Sequence, residues 1–198
     1  MLQYLVILGA LVNFFGSLPY VIQTLKAQTK PNKISWGMWS VAPLIATAAA
    51  LYSGAGWAAL PVFMSGFMPL VIFVVSFINP NAYWKLELFD YLCGICSVLA
   101  LILWAITKQP VIAVIFAIAS DFLAGVPTLI KGWQHPETES GFVFFAGLIN
   151  AATALFAVRS WTFAQYGFPI YLMVMNTLLF SSIWHSKLKR FFFRKSSI

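Results

Sequence analysis

Long apolar runs, broken by short polar stretches, account for most of the chain. Seven runs, roughly 2–25, 32–53, 57–79, 88–107, 110–131, 140–158 and 163–185, are close to 20 residues each. That is the length at which an α-helix crosses the hydrocarbon core of a bilayer. The breaks carry turn and breaker residues: Lys26–Lys33 with Pro31, Ser53-Gly-Ala-Gly56, Asn79-Pro80-Asn81, and Lys131-Gly-Trp-Gln-His-Pro-Glu-Thr-Glu-Ser140. The pattern predicts an all-α integral membrane protein of seven transmembrane helices. It leaves no length for an independent soluble domain.

Inside these runs, prolines and polar residues recur at a fixed offset. Pro19 and Pro127 are 108 positions apart, and so are Pro61 and Pro169. At that offset Asn13 meets Asp121, Phe14 meets Phe122 and Ile22 meets Ile130. Through the next loop and helix the offset is 105, pairing Pro31 with Pro136, Ser35 with Ser140, Trp39 with Phe144, Ala46 with Ala151 and Ala49 with Ala154. A three-residue difference in loop length accounts for the change. The fourth run lacks the proline pattern. The chain therefore divides into a first triple-helix repeat (1–79), an inversion linker helix (80–109), a second repeat (110–185) and a basic tail (186–198). Three helices alone would leave the second copy inverted; the fourth restores a parallel 3+1+3 arrangement about an axis along the membrane normal.

Composition agrees with a membrane-embedded chain: 61% of residues are hydrophobic and 9% charged, with a mean hydropathy of +0.87. The formal net charge of +7 invites a nucleic-acid reading, but its distribution opposes one. With the N-terminus outside, the cytoplasmic segments hold Lys26, Lys30, Lys33, Lys85, Lys131 and the tail residues Lys187, Lys189, Arg190, Arg194 and Lys195. Only Lys108 and Arg159 fall on the other side. This asymmetry predicts an N-out, C-in protein of a cell (inner) membrane. No positive n-region or small-x-small site marks the first run for cleavage. The tail, Lys187-Leu-Lys-Arg-Phe-Phe-Phe-Arg-Lys195, reads as an amphipathic anchor on anionic lipid headgroups.

Candidate chemistry centres on polar residues at membrane depth. Asp121 lies 11 residues past Pro110 and 10 before Lys131, near the expected bilayer centre, where a lipid-facing charge costs about 2.5–3.5 kcal/mol on the insertion scale. It is expected to face the bundle interior. Asp121, Gly125 and Thr128 share one helical stripe, and Asn13, Ser17 and Tyr20 the equivalent one. Asn150, with Thr153 one turn on, and Asn176 offer amide donors and acceptors; Trp39 and Phe144 could stack on a ligand. Pro19, Pro43, Pro61, Pro127 and Pro169 are candidate hinges. Helix-to-helix bonding is the alternative role for the amides, and lipid or core packing for the aromatics. Cys93 and Cys96 read as packing residues. His135, beside Glu137 and Glu139, reads as part of a solvated loop, and His185 as interfacial. No metal or cofactor site is expected. No Ser/His/Asp set or paired intramembrane carboxylate can be assembled, so an enzyme is not expected; no mid-span lysine is placed for a retinal Schiff base.

Two short motifs, Gly16-Ser-Leu-Pro19-Tyr-Val-Ile-Gln-Thr with its lysine-rich loop and Ser35, and Gly125-Val-Pro127-Thr-Leu-Ile-Lys with Ser140, make the chain resemble the SWEET, SemiSWEET and PQ-loop membrane proteins. Asn176 resembles the pocket asparagine of their sugar-transporting members. The chain departs from the pattern in having Tyr20 and Thr128 where the Pro-Gln dipeptide has glutamine, Met68 opposite Asn176, and Leu148 opposite Pro43. The resemblance implies a carrier for a small polar solute, sugar-like or another small metabolite. It would work by alternating access, with Asp121 available for proton coupling. The alternative is a membrane receptor or interaction protein on the same fold. A homo-oligomer is compatible with either.

Overall fold

The computed structural model describes residues 2–52, 56–107, 109–156, 158 and 161–195. Lys108 and Arg159 lie outside the described residues, as do the side chains of Ala46, Ala49 and the tail residues expected to meet lipid headgroups. The described residues form seven α-helices and two short 3-10 turns, with no strand. The helices are α1 (Leu2–Leu25), α2 (Lys33–Tyr52), α3 (Leu60–Val75), α4 (Leu88–Ile106), α5 (Pro110–Gln134), α6 (Phe142–Leu155) and α7 (Phe163–Lys195). Gly56–Ala59 and Pro136–Thr138 are the 3-10 turns.

Local chemistry explains the boundaries. Asn32 precedes α2 and its Oδ1 accepts from the backbone N–H groups of Ile34 (3.1 Å) and Ser35 (3.3 Å), capping the helix. At α4, Glu87 and Asp90 form a reciprocal capping box. Asp90 Oδ1 also accepts from Asn32 Nδ2 at 2.8 Å, which joins the starts of α2 and α4. Pro61 and Pro110 occupy first turns, where a missing N–H leaves no bond unmade. Pro61 is therefore not the internal hinge expected of it; the proline inside α3 is Pro69. Helix α7 continues without a break through the expected 185/186 boundary.

Among the described residues, three helices are long and apolar enough to cross a bilayer: Tyr4–Leu25, Val114–Gln134 and Phe163–His185. Leu60–Val75, Leu88–Ala100 and Phe142–Leu155 are shorter apolar helices. The outside of the bundle is strongly apolar. On α4, Leu92, Ile95, Leu99, Ile102 and Ile106 are all exposed, and α1 shows Leu8, Leu11 and Phe15. Buried positions, in contrast, include nearly as many polar residues as apolar ones, among them Asn13, Ser17, Asp121, Lys131, Glu139 and Asn150. That inside-out distribution suits hydrocarbon surroundings, in which polar groups must find partners within the protein.

Six helices close a ring. α1 packs on α3, α3 on α2, α2 on α5, α5 on α7, α7 on α6, and α6 back on α1. Exchanging α1 with α5, α2 with α6 and α3 with α7 maps this order onto itself. Helix α4 lies outside, against α5 and α2. It is clamped by Ser97 Oγ donating to the Ser120 carbonyl (2.7 Å) while Ser120 Oγ donates to the Ser97 carbonyl (2.9 Å). The turn after α1, the segment after α3 and the turn after α5 gather at one end. Lys30 N–H donates to the Thr138 carbonyl at 2.9 Å, Asn79 Nδ2 to the Leu25 carbonyl at 2.7 Å, and the rings of Trp84 and His135 lie 5.5 Å apart.

Candidate functional site: a cavity inside the ring, closed at one end

The ring encloses a cavity that leaves about 80 Å³ open to the centres of water molecules. One water needs about 10–15 Å³ of such space, so several waters fit. Every ring helix contributes to the lining: Asn13 and Ser17 from α1, Trp36, Trp39 and Pro43 from α2, Ser65, Met68 and Pro69 from α3, Asp121 from α5, Val143, Phe144 and Gly147 from α6, and Leu172, Met175, Asn176 and Leu179 from α7. Five of the residues singled out from sequence, Asp121, Asn13, Asn176, Trp39 and Phe144, are thus brought to one space. Met68 and Asn176, the pair 108 positions apart, both line it.

Asp121 is 8% exposed, and its Oδ2 accepts from Tyr171 Oη at 2.8 Å. A carboxylate has room for about four such bonds. Asn13 is buried, and its Oδ1 has no protein partner. Asn176 Nδ2 donates to the Leu172 carbonyl of its own helix at 2.8 Å. Gly147 lets the Asn176 amide approach: a Cβ there would stand 2.5 Å from Asn176 Oδ1. The aromatic wall is continuous. Trp36 lies 5.3 Å from Trp39 and 5.9 Å from Phe144 between ring centroids, and Trp39 Nε1 donates to the Asp121 backbone carbonyl at 3.2 Å.

Asn150 does not reach this cavity. It lines an adjoining one of about 250 Å³ that shares Pro43, Ser65 and Leu172 with the first. There its Nδ2 donates to the Pro61 carbonyl (3.0 Å) and to Ser65 Oγ (3.2 Å), tying α6 to α3. The reason is distance along the helix: Gly147 occupies the cavity level, and Asn150 falls a turn farther on. Pro61 and Pro169 also line this second space, which runs toward the first turns of α3, α5 and α7. Pro127 borders a separate groove with Trp84 and Lys131, and Pro19 lies inside α1.

On the opposite side the cavity is closed. Tyr20, fully buried, packs its ring 4.8 Å from that of Trp36. Its hydroxyl donates to Glu139 Oε2 at 2.6 Å. Glu139 Oε1 holds Lys131 Nζ at 2.6 Å in an ion pair whose side chains are 0% and 1% exposed. Lys131 also donates to the Lys30 carbonyl and lies 4.5 Å from the centroid of the Trp84 ring. Sequence reading placed Lys131 among the loop charges and Glu139 in a solvated turn; both are buried. His135 and Glu137 do stay exposed, 3.5 Å apart. The missed signal was the spacing itself: Lys131 and Glu139 bracket a turn short enough to fold the carboxylate back over the end of α5.

No protein-family model, curated protein or solved structure matches this chain.

Proposed function

We propose that this protein is a membrane carrier for a small polar solute. In this reading the seven helices cross the bilayer as two parallel triple-helix bundles, α1–α3 and α5–α7, joined by α4. The observation that carries it is the central cavity, to which both triplets contribute polar side chains. A second cavity adjoins it, sharing Pro43, Ser65 and Leu172, and buried rings and a buried ion pair pack beyond its other side. A solute site between repeats that is closed on one side is what alternating access requires. The resemblance to SWEET and PQ-loop proteins implies the same class of function. The internal prolines Pro19, Pro43, Pro69, Pro127 and Pro169 are the places where a rocking bundle would bend, since each removes one helical hydrogen bond.

Two-sided accessibility tests the reading against a receptor that binds without alternating. Cysteines placed at Asn13→Cys or Asn176→Cys, with Cys93→Ala and Cys96→Ala to remove the native thiols, are treated with a membrane-impermeant methanethiosulfonate. Right-side-out and inside-out vesicles are compared. A carrier is labelled in both. Labelling in one orientation only would replace this reading with that of a non-transporting receptor.

A further inference from the structure

We infer that the solute is a small organic ammonium ion carrying N–H donors, rather than a neutral sugar-like molecule. This rests on the carrier reading's assignment of the central cavity as the solute site. Among the described residues lining that cavity, Asp121 is the only one with a formal charge; no lysine, arginine or histidine joins it. Lys131, a buried cation outside the lining, is committed to Glu139. A carboxylate in so dry a place stays ionised only with compensation, and Tyr171 supplies a single hydrogen bond. Asp121 lines the cavity and has acceptor capacity beyond the Tyr171 bond.

The neighbouring groups have matching chemistry. Asn13 Oδ1 is a buried acceptor without a partner on the same cavity, and an acceptor left in this state selects a ligand that donates. Trp36, Trp39 and Phe144 form a wall of mutually contacting rings, and aromatic faces attract cations through their quadrupole. Asn13, Asn176, Ser17, Ser65 and the unpartnered Trp36 Nε1 also line the cavity and would serve a neutral polyol; the single formal charge, which is negative, is what favours a cation. An ammonium head between Asp121 and Asn13 with its short alkyl body along the rings meets the carboxylate, the unpartnered Asn13 Oδ1 and the aromatic wall.

The test measures binding apart from transport. Purified protein in detergent is unfolded thermally during titration with n-butylammonium chloride, with sodium chloride adjusted to hold ionic strength, and in parallel with 1-butanol, which has the same number of heavy atoms and no charge. The expected result is a saturable rise in Tm with the ammonium and none with the alcohol, an affinity preference of about tenfold or more. Asp121→Asn removes the preference. Should that variant fail to fold, Phe144→Leu keeps the carboxylate and is expected to weaken ammonium binding severalfold. Equal responses to ammonium and alcohol, no response to either, or an unchanged preference in Asp121→Asn would overturn the inference. Two-sided labelling without ammonium preference removes this inference and leaves the carrier; ammonium binding with one-sided labelling does the reverse.

Discussion

The buried ion pair between Lys131 and Glu139 has large energetic stakes for a single contact. Lys131 has one carboxylate, one carbonyl and one ring to replace its hydration. Glu139→Gln leaves the ammonium uncompensated, and such losses cost about 3–5 kcal/mol. The expected outcome is a marked fall in thermal or denaturant stability in detergent. The double variant Lys131→Met with Glu139→Gln should recover most of it, because the unpaired charge is gone. Equal losses in single and double variants would show that the pair's charge is not what matters. A neutral contact involves the position paired with Tyr20. Thr128, 108 positions after Tyr20, donates to Ser35 Oγ at 2.8 Å, while Tyr20 donates to Glu139. One of these hydrogen bonds ends on a buried, ion-paired carboxylate and the other joins two neutral hydroxyls.

Between elements, close approach and turn geometry make two further predictions. Helices α1 and α6 touch through small residues: a Cβ at Gly16 would come 2.4 Å from Ala146 Cβ, and one at Gly9 would come 2.1 Å from Thr153 Oγ1. Gly16→Val must push the helices apart, and overpacking of this kind costs about 1–3 kcal/mol; a stability measurement in detergent checks it. The turn after α1 holds the reverse case. Ala27 has φ of 55°, a left-handed conformation that glycine adopts freely and a Cβ disfavours by about 1–2 kcal/mol. Ala27→Gly is expected to raise the stability by about 1 kcal/mol, against the usual direction of glycine substitutions. An unchanged or lowered Tm would mean that the gain in unfolded-chain entropy cancels the relief of strain.

For the whole molecule, the gathering of the 26–32, 76–87 and 135–141 segments at one end bears on orientation. That end also collects Lys26, Lys30, Lys33 and Lys85, so by the positive-inside rule it should lie in the cytoplasm. Alkaline phosphatase, active only outside the cytoplasm, tests this directly. Fusions truncated after Trp57 should be active and those after Asn81 inactive. The opposite pattern would invert the protein, and equal activities would argue against separate crossings by α2 and α3. In the expected orientation the ion pair closes the cytoplasmic side, and the adjoining cavity with Asn150 leads outward.

Much of the architecture is written in the chain's periodic features. Runs of about 20 apolar residues specify helices because the backbone has no other way to satisfy itself in hydrocarbon, and breakers such as Asn79-Pro80-Asn81 mark their ends. Asn13 and Asp121, which the 108-residue offset pairs, line one cavity together with Trp39, Phe144 and Asn176. Other features depend on which helices become neighbours, and no local pattern encodes that. Tyr171 meets Asp121 across 50 positions and Tyr20 meets Glu139 across 119. Asn150 ties α6 to α3 because those helices touch there, although its residue type suits a ligand equally well. Lys131 and Glu139 have the appearance of solvated turn charges until α1 brings Tyr20 over them. Residue type and spacing dictate where a side chain points along its own helix; only the closed ring decides what it meets, and at the end of this bundle what it meets is another buried charge.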